Sequence, residues 1–367
     1  MDNGPRQMGS PVGARTAING RDVDYFCGTS YYSLHGHPDV IAAARDALAA
    51  YGVGTATAAQ TPAHEEAVER TRHFLGVETV TYVASGYLAP LVLLEALAED
   101  CDAVFADSAS HFGVRDALRT IGKPVVSFRH LDPDDLAGRL SRECPAGGKP
   151  LVVTDGVFPS TGAIAPLSSY VDALRRYSDA ILCVDDAHGL GVLGARGRGT
   201  VEHHDVGKDG VHVCGTLSKA FGGAGGIVPG DRALSAKIRL RSHVLLGASS
   251  PSVPAAAASA AGVRILAEHP EMRQQLWSNA RRAKTGLRAL GFDLDDTPVP
   301  IVSLRGRPSI DLLRVQKTLE RHDILVRHSP PRGYSDSPDV ETLRIAVFST
   351  HTPEQIDRLV DAIRRAI

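Results

Sequence analysis

Directly after the apolar run Val211–Cys214, which reads as a buried strand, the chain continues Gly215-Thr216-Leu217-Ser218-Lys219-Ala220-Phe221-Gly222-Gly223. A lysine amine with its ordinary pKa of about 10.4 is almost fully protonated at neutral pH. To form a Schiff base with an aldehyde it must be desolvated or set beside other cations. Small neighbours just past a buried strand suit that task, and glycines behind Lys219 let a bulky ring lie close to the backbone. Taken alone, the segment fits an ordinary surface-loop lysine slightly better. A second run, Ala180–Asp185, ends in Asp185-Asp186-Ala187-His188. A carboxylate at that strand end can sit beneath a pyridine nitrogen and keep it protonated, so that the ring draws electrons from the carbon being broken or formed. His188, three residues on, could reach the ring's phenolic oxygen.

Two further segments carry weaker signals. Ser85-Gly86-Tyr87 closes the run Thr79–Ala84 and opens a helix, where free N–H groups and the positive end of the dipole suit a phosphate. His111, in Asp107-Ser108-Ala109-Ser110-His111 after Ala103–Asp107, could stack on an aromatic ring or be an ordinary surface histidine. Asp-Asp-Ala-His also resembles a helicase nucleotide motif, but the chain has no G-x-x-x-x-G-K-[ST] loop to go with it. A metal site from Asp185 and His188 with His203-His204-Asp205 ranks well below the cofactor reading, and no metal is expected.

The elements that must hold these residues alternate. Short β-rich runs at Thr79–Ala84, Ala103–Asp107, Pro124–Phe128, Leu151–Thr154, Ala180–Asp185 and Val211–Cys214 are separated by helical stretches such as Ser168–Tyr177. Continuous apolar runs such as Ile181-Leu182-Cys183-Val184 suit strands buried on both faces of a mostly parallel sheet. Ligands in such α/β sheets gather at the carboxyl ends of strands, where Asp185 and Lys219 fall. Helices are expected from Pro38 to a stop at Gly52 and over His64–Phe74. After Pro254 the composition shifts to long helical stretches. An α+β tail follows, with strands at Val299–Leu304, Ile324–Val326 and Thr342–Val347 and helices at Ile310–His322 and Pro353–Ile367. The expected organisation is an N-terminal arm over 1–36, a large domain over 37–255 and a smaller α+β domain over 256–367.

Composition narrows the classes. The 367 residues are 43% hydrophobic and 22% charged, enough for a large core, and the net charge of -2 gives no general case for nucleic acid or an anionic membrane. Five cysteines without a C-x-x-C pair argue against a disulfide framework or a cysteine-rich zinc site. Residues 1–19 are rich in Gly, Pro and polar residues and lack the apolar stretch of a signal peptide, and nothing approaches the roughly 20 apolar residues of a spanning helix. A soluble, cytoplasmic protein is the expectation.

Taken in order, the chemistry-bearing segments resemble the fold-type I enzymes dependent on pyridoxal 5′-phosphate (PLP), and among them the α-oxoamine synthase family. The resemblance runs from about Tyr31 to the C-terminus. It includes Tyr31-Tyr32-Ser33-Leu34, His37-Pro38, Ser85-Gly86-Tyr87, Asp155-Gly156-Val157-Phe158, Ala165-Pro166-Leu167, Asp185–His188, Gly191–Gly194, Gly197-Arg198-Gly199, Gly215–Lys219, Leu343-Arg344-Ile345 and His351-Thr352. It implies a large, mostly parallel sheet domain with a smaller α+β domain, and these roles. Lys219 would hold PLP and move protons at the substrate's α-carbon. Asp185 would pair with the pyridine nitrogen, His188 would contact the ring hydroxyl, and His111 would stack on the ring. Ser85, Gly86, Tyr87 and Thr216 would hold the phosphate, with Ser250 of a partner subunit completing it across a homodimer. Arg344 would grip the amino-acid carboxylate as a bidentate pair, and Tyr31 would line the substrate site.

The implied reaction joins an amino acid to an acyl thioester, on CoA or a carrier protein. The alternatives are another PLP reaction on the same scaffold, such as transamination, aldol-type cleavage or a non-thioester condensation, or a catalytically silent partner. Three departures stand out. Pro159-Ser160-Thr161-Gly162 replaces the family's Ser-Met-Asp-Gly, so the ring contact of that serine is lost or moves to Ser160. Asp186 replaces the family's glutamate. Thr55–Pro62 lacks the usual Ser-Gly turn beside the substrate entrance.

Overall fold

The computed structural model describes residues 6–308 and 310–367. The first five residues of the expected N-terminal arm lie outside these. The chain divides into two compact units. The larger holds residues 39–158 and 164–268, and the smaller holds the N-terminal segment up to Pro38, residues 159–163 and residues 269–367. The position expected for a boundary, 255/256, falls inside the helix Val253–Glu268, which belongs wholly to the larger unit.

In chain order the strands are β1 (Arg15–Ile18), β2 (Arg21–Tyr25), β3 (Thr79–Val83), β4 (Ala103–Asp107), β5 (Val125–Phe128), β6 (Pro150–Asp155), β7 (Ile181–Asp185), β8 (Val211–Thr216), β9 (Gly226–Gly230), β10 (Ile301–Arg305), β11 (Ile324–Leu325), β12 (Arg327–Ser329) and β13 (Thr342–Ala346). In the larger unit seven of them form one sheet in the order β3-β9-β8-β7-β6-β4-β5. Neighbours from β8 to β5 are parallel, and β9 runs antiparallel to β3 and β8. Parallel order brings the carboxyl ends of β4, β6, β7 and β8 to one edge, where ligands of such sheets bind. Every residue of β6 is buried, and its proline stands first, where a missing N–H disturbs the ladder least.

The expected strands from Thr79 to Cys214 all form, within two residues of their expected ends. β9 was not legible, because Gly-Ile-Val-Pro-Gly carries three strand-weakening residues in five. Helix starts follow capping chemistry. Thr61 and His64 form a reciprocal capping box at Pro62–Leu75, which Gly76 closes at φ 64. His111 caps Phe112–Thr120 by accepting the Gly113 N–H.

In the smaller unit β10, β13 and β12 form an antiparallel sheet, while β2 pairs with β1 antiparallel and with β11 parallel. The expected N-terminal arm, for which no strand is predicted, carries a hairpin. Asn19 (φ 51) and Gly20 (φ 77) supply the two positive-φ residues of a tight turn between β1 and β2, a sequence signal in its own right. The core of this unit gathers Leu287, Leu304, Val315, Leu343, Ile345 and Ile363. Its last helix, Pro353–Ala366, starts on a Thr352–Gln355 capping box. Among the described residues no helix is long and apolar enough to cross a membrane.

Leu182 lies 1% exposed in β7, the strand that ends in Asp185. Leu182→Ala should cost about 2–5 kcal/mol, the usual price of truncating a buried leucine, and so lower the urea midpoint. A midpoint unchanged from wild type would contradict this packing.

Candidate active site

Three neighbouring parallel strands bring the central residues together. Asp155 at the end of β6 stands opposite Asp185 at the end of β7, which in turn pairs with Cys214 of β8. Lys219 follows five residues after Cys214. The strand ends are knitted by Gly156 N–H to the Asp185 carbonyl and Asp186 N–H to the Cys214 carbonyl, both 2.8 Å. Asp185 is 6% exposed. Burial raises its carboxyl above the ordinary range, while the charges of Lys219 and His111 pull the other way. Its Oδ1 accepts the Ala187 N–H at 3.2 Å. That bond leaves Oδ2 as the acceptor a ring nitrogen requires. His188 is buried in the turn that follows.

His111 is held from the neighbouring strand. Its backbone N–H donates to Asp155 Oδ2 at 2.8 Å, and its Nδ1 accepts from Gly113 N–H at 3.1 Å. The Tyr87 ring meets it edge-on, with centroids 5.9 Å apart at 73°. Asp155, 3% exposed, therefore positions a residue of the site. No role was assigned to it from sequence, although its place at the end of a fully buried strand was the available signal.

The expected phosphate residues also meet. Ser85 caps the short helical turn Gly86–Leu88, its hydroxyl accepting the Tyr87 N–H at 3.2 Å. Gly86 lies so close to β8 that a Cβ there would stand 2.6 Å from both Cβ and Oγ1 of Thr216. The Thr216 hydroxyl donates to the Gly225 carbonyl at 2.8 Å and accepts from Ser218 N–H at 3.1 Å. A glycine-floored turn, a threonine and the N-terminus of the helical turn thus form a cradle fitted to a phosphate. With a lysine and a buried acceptor carboxylate in the same unit, the residues fit PLP. Ser250 joins a different group within the chain: its N–H bonds to the Thr57 carbonyl at 3.3 Å and its hydroxyl to the Ala59 carbonyl at 3.1 Å. It thereby tethers the divergent Thr55–Pro62 segment.

Arg344 and Tyr31 belong to the smaller unit. Arg344 is 7% exposed; its Nε donates to the Pro159 carbonyl at 2.7 Å and one terminal nitrogen to the Gly28 carbonyl at 3.3 Å. Tyr31 is fully buried and bonds to Arg344, burial raising its phenol well above the ordinary value. The Pro159–Gly162 departure is anchored here too. The Asp336 carboxylate accepts from Ser160 N–H at 2.8 Å and from Thr161 N–H at 3.0 Å. Among the described residues no group of three His, Cys, Asp or Glu side chains could hold a metal. All five cysteines are free.

The model of the aminotransferase class I and II family matches residues 27–363. An 8-amino-7-oxononanoate synthase from Methylococcus capsulatus is 37% identical over 369 residues, covering 99% of this chain and 94% of its own length. A putative 8-amino-7-oxononanoate synthase from Desulforudis audaxviator is 34% identical, with 97% and 93% covered. Among solved structures, the serine palmitoyltransferase from S. paucimobilis with a bound PLP–myriocin aldimine superposes with a TM-score of 0.91 at 29% identity, covering 99% of this chain and 92% of that one. The chain belongs to the aminotransferase class I and II family, within its fold-type I, PLP-dependent α-oxoamine synthases. PLP is its cofactor.

Gly86→Ala would drive a methyl into Thr216. Affinity for PLP should fall about tenfold or more while far-UV circular dichroism stays that of wild type, since a 1.4 kcal/mol loss is one decade. Unchanged affinity in a cofactor titration would contradict the cradle.

Proposed function

We propose that the protein condenses an amino acid with an acyl thioester. The C–H or C–carboxylate bond at the amino acid's α-carbon breaks, a C–C bond forms to the thioester carbonyl, and the thiol leaves. The observation that carries this reading is the buried Asp185 carboxyl in the joint field of Lys219 and His111 at the ends of neighbouring strands. When bound, PLP supplies an electron sink for the α-carbon. The rest falls to the chain. Lys219 holds the cofactor and carries protons to and from that carbon. Asp185 would keep the ring nitrogen protonated, His188 would contact the ring hydroxyl, and His111, braced by Asp155, would cover the ring face. Ser85, Gly86, Tyr87 and Thr216 take the phosphate.

Arg344, a buried guanidinium bonded to the Pro159 and Gly28 carbonyls, is assigned to the amino-acid carboxylate, with Tyr31 steadying it. A charge so deeply buried is costly without a counter-charge, which a substrate carboxylate would provide. The relatives named as 8-amino-7-oxononanoate synthase and serine palmitoyltransferase support the reaction class. A homodimer in the cytoplasm, with Ser250 of a partner subunit at the phosphate, belongs to the same proposal.

Purified protein mixed with PLP, a panel of amino acids and acyl-CoA donors should release free thiol only when a particular amino acid is present. Lys219→Ala should slow this release by about 10²–10⁴-fold, the span of general acid–base catalysis. Keto-acid formation without thiol release would instead assign transamination to the same scaffold.

A further inference from the structure

Asp186, which stands where the family has glutamate, is fully buried and walled in by backbone. A Cβ added at Gly189 would lie 2.0 Å from its Oδ1, one at Gly199 1.9 Å from Oδ2, and one at Gly156 2.5 Å from Oδ1. Oδ2 accepts the Thr200 N–H at 2.7 Å. Oδ1 and the buried Thr200 hydroxyl each have no aligned hydrogen-bond partner among the described residues. Both border the same small space, since a Gly156 Cβ would stand 2.5 Å from one and 2.6 Å from the other, and the Thr200 hydroxyl is among the groups that act on the Asp186 carboxyl. A fully buried carboxylate with one oxygen left without a bond and a second carboxyl next to it in the chain is costly to keep ionised, and a proton on Oδ1 relieves that cost.

The two adjacent carboxyls differ in the charges around them. Asp185 has Lys219 and His111 to support its ionised form. At Asp186 burial dominates, and the charge of Asp185 also opposes ionisation; against these stand the Thr200 amide and hydroxyl and the Gly189 amide. The balance pushes Asp186 up to about 8. The acid on the adjoining short helix, Glu202, is turned to the Arg196 and Arg198 N–H groups at 3.1 and 2.9 Å. No cation faces Asp186 among the groups that act on it.

We propose that Asp186 works as a neutral carboxylic acid, its proton on Oδ1 donated to Thr200 Oγ1, so that Asp185 carries the one negative charge of the pair. Asp186 is a positioning residue. It pins the turn carrying Asp185 and His188 to Gly199-Thr200 and adds no second charge beside the ring nitrogen's partner. The consequence for the cofactor rests on the function proposed above, but the protonation state does not.

Infrared difference spectroscopy on the full chain, with and without PLP, should show a protonated-carboxyl carbonyl band at neutral pH that vanishes as pH rises through about 8 and is absent from Asp186→Asn. Thr200→Val should shift that band, which assigns it even if Asp186→Asn does not fold. Stability gives a second readout. Folded Asp186 keeps its proton to about pH 8, whereas an unfolded aspartate loses it near 3.9. Wild-type stability should therefore decline between about pH 4 and 8, and Asp186→Asn should remove that decline while keeping PLP absorbance. A wild type without the carbonyl band, or an Asp186→Asn variant with the wild-type pH slope, would overturn the proposal. Neither readout requires turnover, so a failure of the assigned reaction leaves both interpretable.

Discussion

A carboxylate buried at the end of a parallel strand is tolerable when an opposite charge stands close by, and Asp185 meets that condition through Lys219. Much of the larger unit can be understood as the means to this end. Parallel order among β6, β7 and β8 brings three strand ends to one edge. Asp155 on the first holds the backbone of His111, Asp185 ends the second, and the segment after the third carries Lys219. The phosphate cradle uses the same edge, because Gly86 packs directly on Thr216 at the end of β8. Shifting β7 by one residue would turn Asp185 to the opposite face of the sheet and break the arrangement.

The wall around Asp186 extends the same logic. Two consecutive carboxyls at a buried strand end cannot both be charged cheaply. The structure gives one of them the Lys219 charge and the other a set of neutral hydrogen-bonding groups. Gly156, Gly189 and Gly199 leave the space that the Asp186 carboxyl occupies, since a Cβ at any of them would collide with it. The smaller unit applies a related principle. There the backbone of the divergent Pro159–Gly162 segment is held by the Asp336 carboxylate and by Arg344.

The sequence made the buried strands of the large sheet legible because continuous β-branched and apolar runs bounded by polar turns have few other uses. Asp185, His188 and Lys219 stand out as candidates for the same reason: each ends or follows such a run. β9 was hidden by its glycines and proline, and the N-terminal hairpin was obscured by the Gly- and Pro-rich residues before Asn19-Gly20. Asp155 and Asp336 were not assigned roles, since their work is to hold backbone N–H groups, and sequence spacing carries no record of such long-range bonds. The glycine wall about Asp186 was similarly out of reach, because it joins residues 156, 186, 189 and 199 in space.

The central claim is that the carboxylate ending β7 keeps the cofactor's ring nitrogen protonated. Nitrogen NMR of the enzyme loaded with PLP labelled at that nitrogen measures this directly. The ring nitrogen should be protonated in wild type throughout the neutral range and unprotonated in Asp185→Ala. A nitrogen that stays protonated in Asp185→Ala, or that is unprotonated in wild type, would contradict it.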